Sequence, residues 1–457
     1  MAKTFSVVRI GLGLTGLDPA SCFERLAGEG GRGYLIEKVE DGRRRAWIGV
    51  QPFETLRVIK GRVYSVTARR RKKLLGEPFE VIGKRLAKLR ARGGRPFDAG
   101  AVGLLDYEMI RHLEPVKMNA EAAEGFMMLF NAAVVVEEGR ASLTALAAGA
   151  GGRRRAKALA AELKKVLRGA GPVPVPPATG RLLPVEAERG RARYLKSVAK
   201  IKEHILAGDV FQAVVSDGFR ARVSGGPFAA YRAVRAANVT PYGFLLLDGG
   251  RAWIGASPER LVRVVDGVAR NCPIAGTRPR GRTRARDRRL EAEMRASEKE
   301  CAEHLMLVDL ARNDLGRVCA PGSVKVEKFM VTRRFSNVMH LVSEVEGRLD
   351  AGKTAWDALV ASFPAGTVSG APKVRAMEII AGLERAPRGF YAGALVQADF
   401  AGNLDSCLAI RALELEGDEV RLQAGAGIVA DSRPAAEWNE VLHKVAGLRR
   451  ALGGSGK

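Results

Sequence analysis

The 457-residue chain has no apolar run long enough to cross a membrane; a spanning helix needs roughly 20 consecutive apolar residues. Near the start, Arg9 interrupts the apolar stretch and no small-residue cleavage site follows, so no secretory leader is expected. Cysteine is scarce. Cys22, Cys272, Cys301, Cys319 and Cys407 form no Cys-x-x-Cys pair and are odd in number. That argues against a zinc or disulfide framework and for free thiols in a reducing, cytoplasmic compartment. Aromatic residues are only 6% of the chain, and no zinc-finger, RNP-like or KH-like signature is present. Acidic residues are short against basic ones, 50 to 75, for a net charge of +25. The basic clusters at 42–47, 68–73, 84–95 and 151–157 are scattered, so nucleic-acid binding is not expected as the function.

What is present reads as globular, with 47% hydrophobic and 27% charged residues. Residues 168–190, RGAGPVPVPPATGRLLPVEAERG, are rich in Pro, Gly and Ala and read as a linker. They divide an N-terminal lobe, 1–167, from a region at 191–457. Strand-like runs such as YLIEKV (34–39) and AWIGV (46–50) mix with helical spacing at 194–208, and tight turns such as Asp248-Gly249-Gly250 join strand pairs. The pattern predicts an α+β fold with antiparallel sheets. A GxGxxG match at Gly11–Gly16 is a decoy. Asp18-Pro19 predicts a helix that starts only after the last glycine, and the following strands read as a hairpin, not a dinucleotide-binding βαβ unit.

Two segments place carboxylates where burial is expected. In EKECAEHLMLVDL (298–310), Glu300, Glu303, Leu307 and Leu310 share one helical face. In DSRPAAEWNEVLHK (431–444), Ser432 and Pro434 suit a helix start, and Glu437, Glu440 and Lys444 then share a face. Upstream, QAGAGIV (423–429) reads as a glycine-rich turn whose N–H groups could hold an anion. Buried carboxylates need partners, and four glutamates would suit a hard divalent cation such as Mg²⁺.

Longer motifs add a family. PIAGTRPRG (273–281), residues 298–318, FSNVMHLVSEV (335–345), FPAGTVSGAPKVRAMEII (363–380), GFYAGALVQADFAGN (389–403), LAIR (408–411) and QAGAGIVADS (423–432) resemble the chorismate-utilising enzymes. AVGLLDYEMIRHLE (101–114) extends the likeness towards the N-terminus. The resemblance implies two large antiparallel β-sheets packed together and flanked by helices, a regulatory-type N-terminal lobe, and a chorismate-binding catalytic region. It also implies Mg²⁺ ligation by Glu303 and Glu440, with Glu300 and Glu437 beside them. Tyr391, Arg411, Gly425, Ala426 and Gly427 match positions that bind the substrate's carboxylates, and Gly276, Thr277, Thr367 and Lys444 others lining the pocket. Glu259 matches a general acid for the departing 4-hydroxyl, and His340 a histidine of the later pyruvate elimination.

Within the family the motifs are most similar to the anthranilate synthase component I group, with aminodeoxychorismate synthase component I as the alternative. Members that add water carry a lysine base where this chain has Gln212, and many aminodeoxychorismate synthases carry a nucleophilic lysine at Ala275. Neither residue here is a base or nucleophile, which favours direct attack by ammonia. No cysteine lies in a glutaminase-type nucleophile turn, so a separate glutamine amidotransferase subunit is expected to supply it. Family members are commonly inhibited by tryptophan, bound by an LLES-like segment and a Pro-Tyr-Met stretch. Here these read Leu35-Ile36-Glu37-Lys38 and Pro241-Tyr242-Gly243, so weak inhibition is expected, with Lys38 intruding on the pocket.

Overall fold

The computed structural model describes residues 3–453 apart from 29, 41, 119–123, 150, 174–185, 239, 335–337 and 385, so part of the expected linker lies outside the described residues. Two sheets, of 13 and 12 strands, lie against each other. Among the described residues every pairing between strands is antiparallel except that of Lys3–Gly11 with Leu89–Arg92. The α+β architecture expected from the sequence is the one that forms.

The strand Tyr242–Asp248 explains why few strands alternate polar with apolar residues. Successive side chains leave a strand on opposite faces. Phe244 and Leu246 enter the layer between the sheets, beside Trp253, Phe126 and Leu104. Leu245 and Leu247 face outward into a second cluster with Val198, Tyr231 and Val441. These last belong to the helices Arg191–Leu206, Gly226–Ala237 and Pro434–Ala451. The outer face of the other sheet is covered in the same way by Pro78–Ala87, Glu298–Gly316 and Ala355–Ser362, through Ile82, Val308 and Leu359. The order of layers is therefore helices, sheet, sheet, helices, and both faces of each sheet are apolar.

Residues on either side of the expected linker share both sheets. Gly33–Glu40 pairs with Tyr242–Asp248, Leu35 opposite Leu245. Gly100–Leu105 pairs with Ala394–Asp399, Leu104 opposite Leu395. Lys38 of one sheet meets Asp405 of the other at 2.6 Å. The glycine decoy resolves as read: Asp18 caps the helix Pro19–Ala27 by accepting from Ser21 N at 3.0 Å, and Gly33–Glu40 runs antiparallel to Arg43–Val50.

Candidate active site

The two carboxylate-bearing segments are helices, Glu298–Gly316 and Pro434–Ala451. Ser297 Oγ caps the first through Glu300 N. The second has Pro434 in its first turn, but its N-cap is Arg433 and not Ser432. Ser432 Oγ instead accepts from Val429 N at 3.1 Å, closing the turn that leads into the helix. Together the helices bring Glu303, Glu437 and Glu440 to a cavity of about 460 Å³. Glu300 is not among its walls. Arg278 on the neighbouring strand Ile274–Pro279 holds Glu300 Oε1 at 2.5 Å, and Glu300 Oε2 lies buried behind Gly276.

These carboxylates crowd one another. The Glu303 carboxyl is raised by burial, then by Glu440 and Glu300, with Lys299 and Lys444 opposing. Glu437 is raised by burial and by Glu440. Lys444 Nζ reaches Glu440 Oε1 at 2.6 Å. Among the described residues no three His, Cys, Asp or Glu side chains are grouped closely enough to hold a metal on their own. Mg²⁺ commonly takes one or two carboxylates and completes its shell with water and ligand oxygens. A mutually repelling, oxygen-only pair such as Glu303 and Glu440 fits that demand.

The opposite wall corrects the reading of residues 423–429. All but Val429 belong to a regular strand, Glu419–Ile428, paired along its length with Gln212–Arg222. Its other neighbour, Ala412–Glu416, stops at Leu413 opposite Leu422, so beyond that point one edge of the strand is open. Lys444 Nζ donates to Gly425 O at 2.9 Å, which sets the direction of the Gly425 peptide groups. Backbone polarity alternates along an antiparallel strand, so Gly425 and Gly427 present N–H and C=O to the cavity. Ala426 does not: it pairs with Val215 and its methyl lies in the core. A side chain at Gly425 would sit 2.7 Å from Val215 O, and one at Gly427 would collide with the Gln212 amide.

Tyr391 and Arg411 stand over this open edge. The Tyr391 hydroxyl is pushed up to about 12 by burial. Arg411 has left-handed backbone, φ +51°, a strained conformation for a long side chain. Its guanidinium makes only a long contact to Lys444 O, 3.4 Å, and no ion pair among the described residues. A part-buried guanidinium that makes no direct ion pair, with Glu440 acting on it only at longer range, suits a carboxylate ligand.

The acid and base candidates lie between these walls. Glu259 Oε1 accepts from Thr367 Oγ1 at 2.6 Å. Burial pushes its carboxyl up to about 7 against the opposing effects of Thr367 and Lys444. His340 is on the strand Val338–Arg348, opposite Thr277, where the register slips at Gly276. That bulge, φ +63° at Gly276, aims the Gly276 carbonyl at His340 Nδ1, 2.9 Å away, and Thr277 Oγ1 lies 3.1 Å from the same nitrogen. Nδ1 therefore carries the hydrogen and the lone pair is on Nε2. Burial lowers this histidine's affinity for a second proton, and Arg411 adds to that. Gln212 and Ala275 also line the cavity. Gln212 is 4% exposed, and its Oε1 has no hydrogen-bond partner among the described residues.

Of the residues expected from the sequence, all but Glu300 and Ala426 line this one cavity. Lys299, Gln423 and Ser432 line it too and were not foreseen. Lys299 precedes Glu303 by one helical turn, a spacing that could have marked it.

The model of the chorismate binding enzyme family matches residues 34–450. Anthranilate synthase component 1 of Streptomyces coelicolor is 40% identical over 458 residues, covering 95% of this chain and 86% of that protein. The crystal structure of anthranilate synthase component I from Streptococcus pneumoniae superposes with a TM-score of 0.76 at 32% identity, covering 89% of this chain and 92% of that one. The menaquinone-specific isochorismate synthase of Escherichia coli shares the fold, TM-score 0.76 at 20% identity, over 99% of this chain and 95% of its own.

Proposed function

The chain belongs to the chorismate-binding enzymes, and on that premise we propose that it converts chorismate and ammonia to anthranilate and pyruvate, the activity of an anthranilate synthase component I. The observation that carries the choice among the family's reactions is the pair Gln212 and Ala275 in the cavity wall. Neither can deprotonate water or attack the ring. The buried, unpartnered Gln212 Oε1 can accept an N–H of the arriving ammonia.

Arg411, Tyr391 and the peptide groups of Gly425 and Gly427 receive a carboxylate of the substrate. Glu303 and Glu440 would hold Mg²⁺, with Glu437 beside them; when bound, the ion supplies positive charge for the ring carboxylate. Glu259 gives its proton to the 4-hydroxyl, a poor leaving group, which departs as water while ammonia bonds to C2 and the ring double bond shifts. The product of this step is 2-amino-2-deoxyisochorismate. His340 Nε2 then takes the C2 proton as the bond to the enolpyruvyl oxygen breaks; the ring becomes aromatic, and the departing enolate takes up a proton at its methylene to become pyruvate. The ammonia comes from a separate glutamine amidotransferase subunit, a reading supported by the component naming of the relatives. All five cysteines are free, which suits the reducing cytoplasm, and no helix among the described residues is long and apolar enough to cross a membrane.

The test is to incubate the protein with chorismate, ammonium and Mg²⁺. Fluorescent anthranilate and pyruvate are expected. A stable aminodeoxychorismate, turned to 4-aminobenzoate only by an added lyase, would move the assignment to aminodeoxychorismate synthase. Isochorismate formed without ammonium would exclude both.

A further inference from the structure

Glu259 is a wall of two cavities. A second one, of about 30 Å³, shares Glu259, Thr367 and Leu307 with the main cavity and extends towards Asn271, Leu310, Asp314 and Ser362. Most of its polar groups are already committed. Asp314 is held by Lys373 at 2.9 and 3.0 Å, and Arg260 Nε donates to Tyr242 Oη at 2.8 Å. Ser362 is different. It ends the helix Ala355–Ser362, is 0% exposed, and its Oγ has no hydrogen-bond partner among the described residues.

A buried hydroxyl with no partner is uncommon, and an ordered water is the usual explanation. A water needs about 10–15 Å³ of such space and two or more polar neighbours. The chamber has that room, and both Ser362 and the Glu259 carboxyl, whose Oε1 accepts from Thr367, stand in its wall.

We propose that this chamber binds a water that joins Ser362 Oγ to Glu259 and returns a proton to Glu259 after it has protonated the leaving hydroxyl. The proposal rests on Glu259 being the acid of the reaction given above. When the 4-hydroxyl departs as water, Glu259 is left as a carboxylate, and the occupied main cavity covers its other face. The chamber water takes a proton arriving from the part-exposed Asn271 and Leu310 side and passes one of its own to the carboxylate. No hydroxide accumulates. The proton drawn from solvent is balanced by the one the nitrogen sheds on becoming an amine. The charged groups around Glu259 during this exchange are Lys444 on the main-cavity side and Arg260 and the Asp314–Lys373 pair on the chamber side.

Two variants and a diffraction experiment test it. Ser362→Val removes the hydroxyl and fills the chamber with methyl groups; Ser362→Thr keeps the hydroxyl. With both variants folded as judged by their melting temperatures, Ser362→Val is expected to lose about tenfold in kcat with an unchanged KM for chorismate, less than the roughly 10²- to 10⁴-fold of a direct general acid because Glu259 itself remains. Its solvent deuterium isotope effect on kcat should rise above that of the wild type, and Ser362→Thr should restore both. A high-resolution crystal structure of the wild type should show a water within hydrogen-bond distance of Ser362 Oγ and Glu259. A dry chamber would overturn the proposal. So would a Ser362→Val variant with wild-type kcat and isotope effect, or a Ser362→Thr variant as slow as Ser362→Val, which would indicate packing alone. Because the water is read by diffraction, a wild type that makes no anthranilate would overturn the reaction and not the water site.

Discussion

Thr367 donates its hydroxyl to Glu259 Oε1 across 2.6 Å, and this bond favours the charged carboxylate while burial favours the neutral acid. Burial wins, with the group at about 7. The competent, protonated form is therefore present below that pH and lost as pH rises through it. At a fixed concentration of unprotonated ammonia, kcat/KM for chorismate should fall above about 7. Thr367→Val removes the bond that lowers the group, so the falling limb should move to higher pH. A limb that stays in place would show that Glu259 does not set it.

Charge at the carboxylate wall is the basis of a metal prediction. Glu303→Gln and Glu440→Gln each remove one anionic oxygen ligand and should weaken Mg²⁺ binding by at least the roughly 10- to 100-fold that loss of an outer-shell partner costs. Calorimetric titration of Mg²⁺ into the protein checks this without reference to turnover. Chelation of the ion should abolish the reaction, and re-addition of Mg²⁺ should restore it.

His340 keeps its hydrogen on Nδ1 through the Gly276 carbonyl, leaving Nε2 to accept. His340→Met removes that base but leaves the acid and the carboxylate site intact. Elimination should slow more than amination, so 2-amino-2-deoxyisochorismate should accumulate and be detectable in quenched samples. Equal slowing of both steps would remove the role assigned to this residue.

Arg388 lies beneath the site, 1% exposed, and ties several of its walls together. Its guanidinium donates to Val368 O and Val214 O, each at 2.7 Å, and pairs with Glu384 at 2.7 Å. Arg388→Met would leave Glu384 buried without its counter-charge, a loss of about 3–5 kcal/mol. The denaturant midpoint should drop accordingly. In the folded fraction kcat should fall too, because Val368 carries its neighbour Thr367 out of register with Glu259.

The expected weakness of tryptophan inhibition now stands on different residues. Lys38 does not intrude on the side of the strand that Glu37 faces, contrary to the reading from sequence. It points between the sheets to Asp405, with Trp47 and Phe97 around its ammonium at 5.1 and 4.6 Å. Glu37 faces the other way, bound to Tyr231 and Arg235, beside a cavity of only about 20 Å³ that Gly243 lines. An indole needs far more space than that. Full activity at millimolar tryptophan is the expected result of a titration, and half-inhibition at low micromolar concentration would refute it.

Much of the site was legible in the sequence because helices carry their own geometry. Glu303 with Leu307, and Glu437 with Glu440, share faces by spacing alone, and those faces do meet one cavity. Turn and cap chemistry was equally local: Asp18 before Pro19 and the Asp248-Gly249-Gly250 turn do what their residue types dictate. The double-faced strands were harder to read, because burial on both sides erases the alternation that marks a half-exposed strand.

Other features depend on partners far away in the chain. Glu300 and Glu303 are three residues apart on one helix, yet Arg278 takes only the first, and no local pattern separates them. Residues 423–429 look like a turn because glycine has no side chain to show a period and usually marks a break. Long register with Gln212–Arg222 makes all but Val429 part of a strand, and the early end of Ala412–Glu416 leaves its edge open to ligand. Helical spacing is set within a few residues by backbone geometry. Which strand pairs with which, and where that pairing stops, is set by contacts between segments some 200 residues apart, and only the folded chain brings them together.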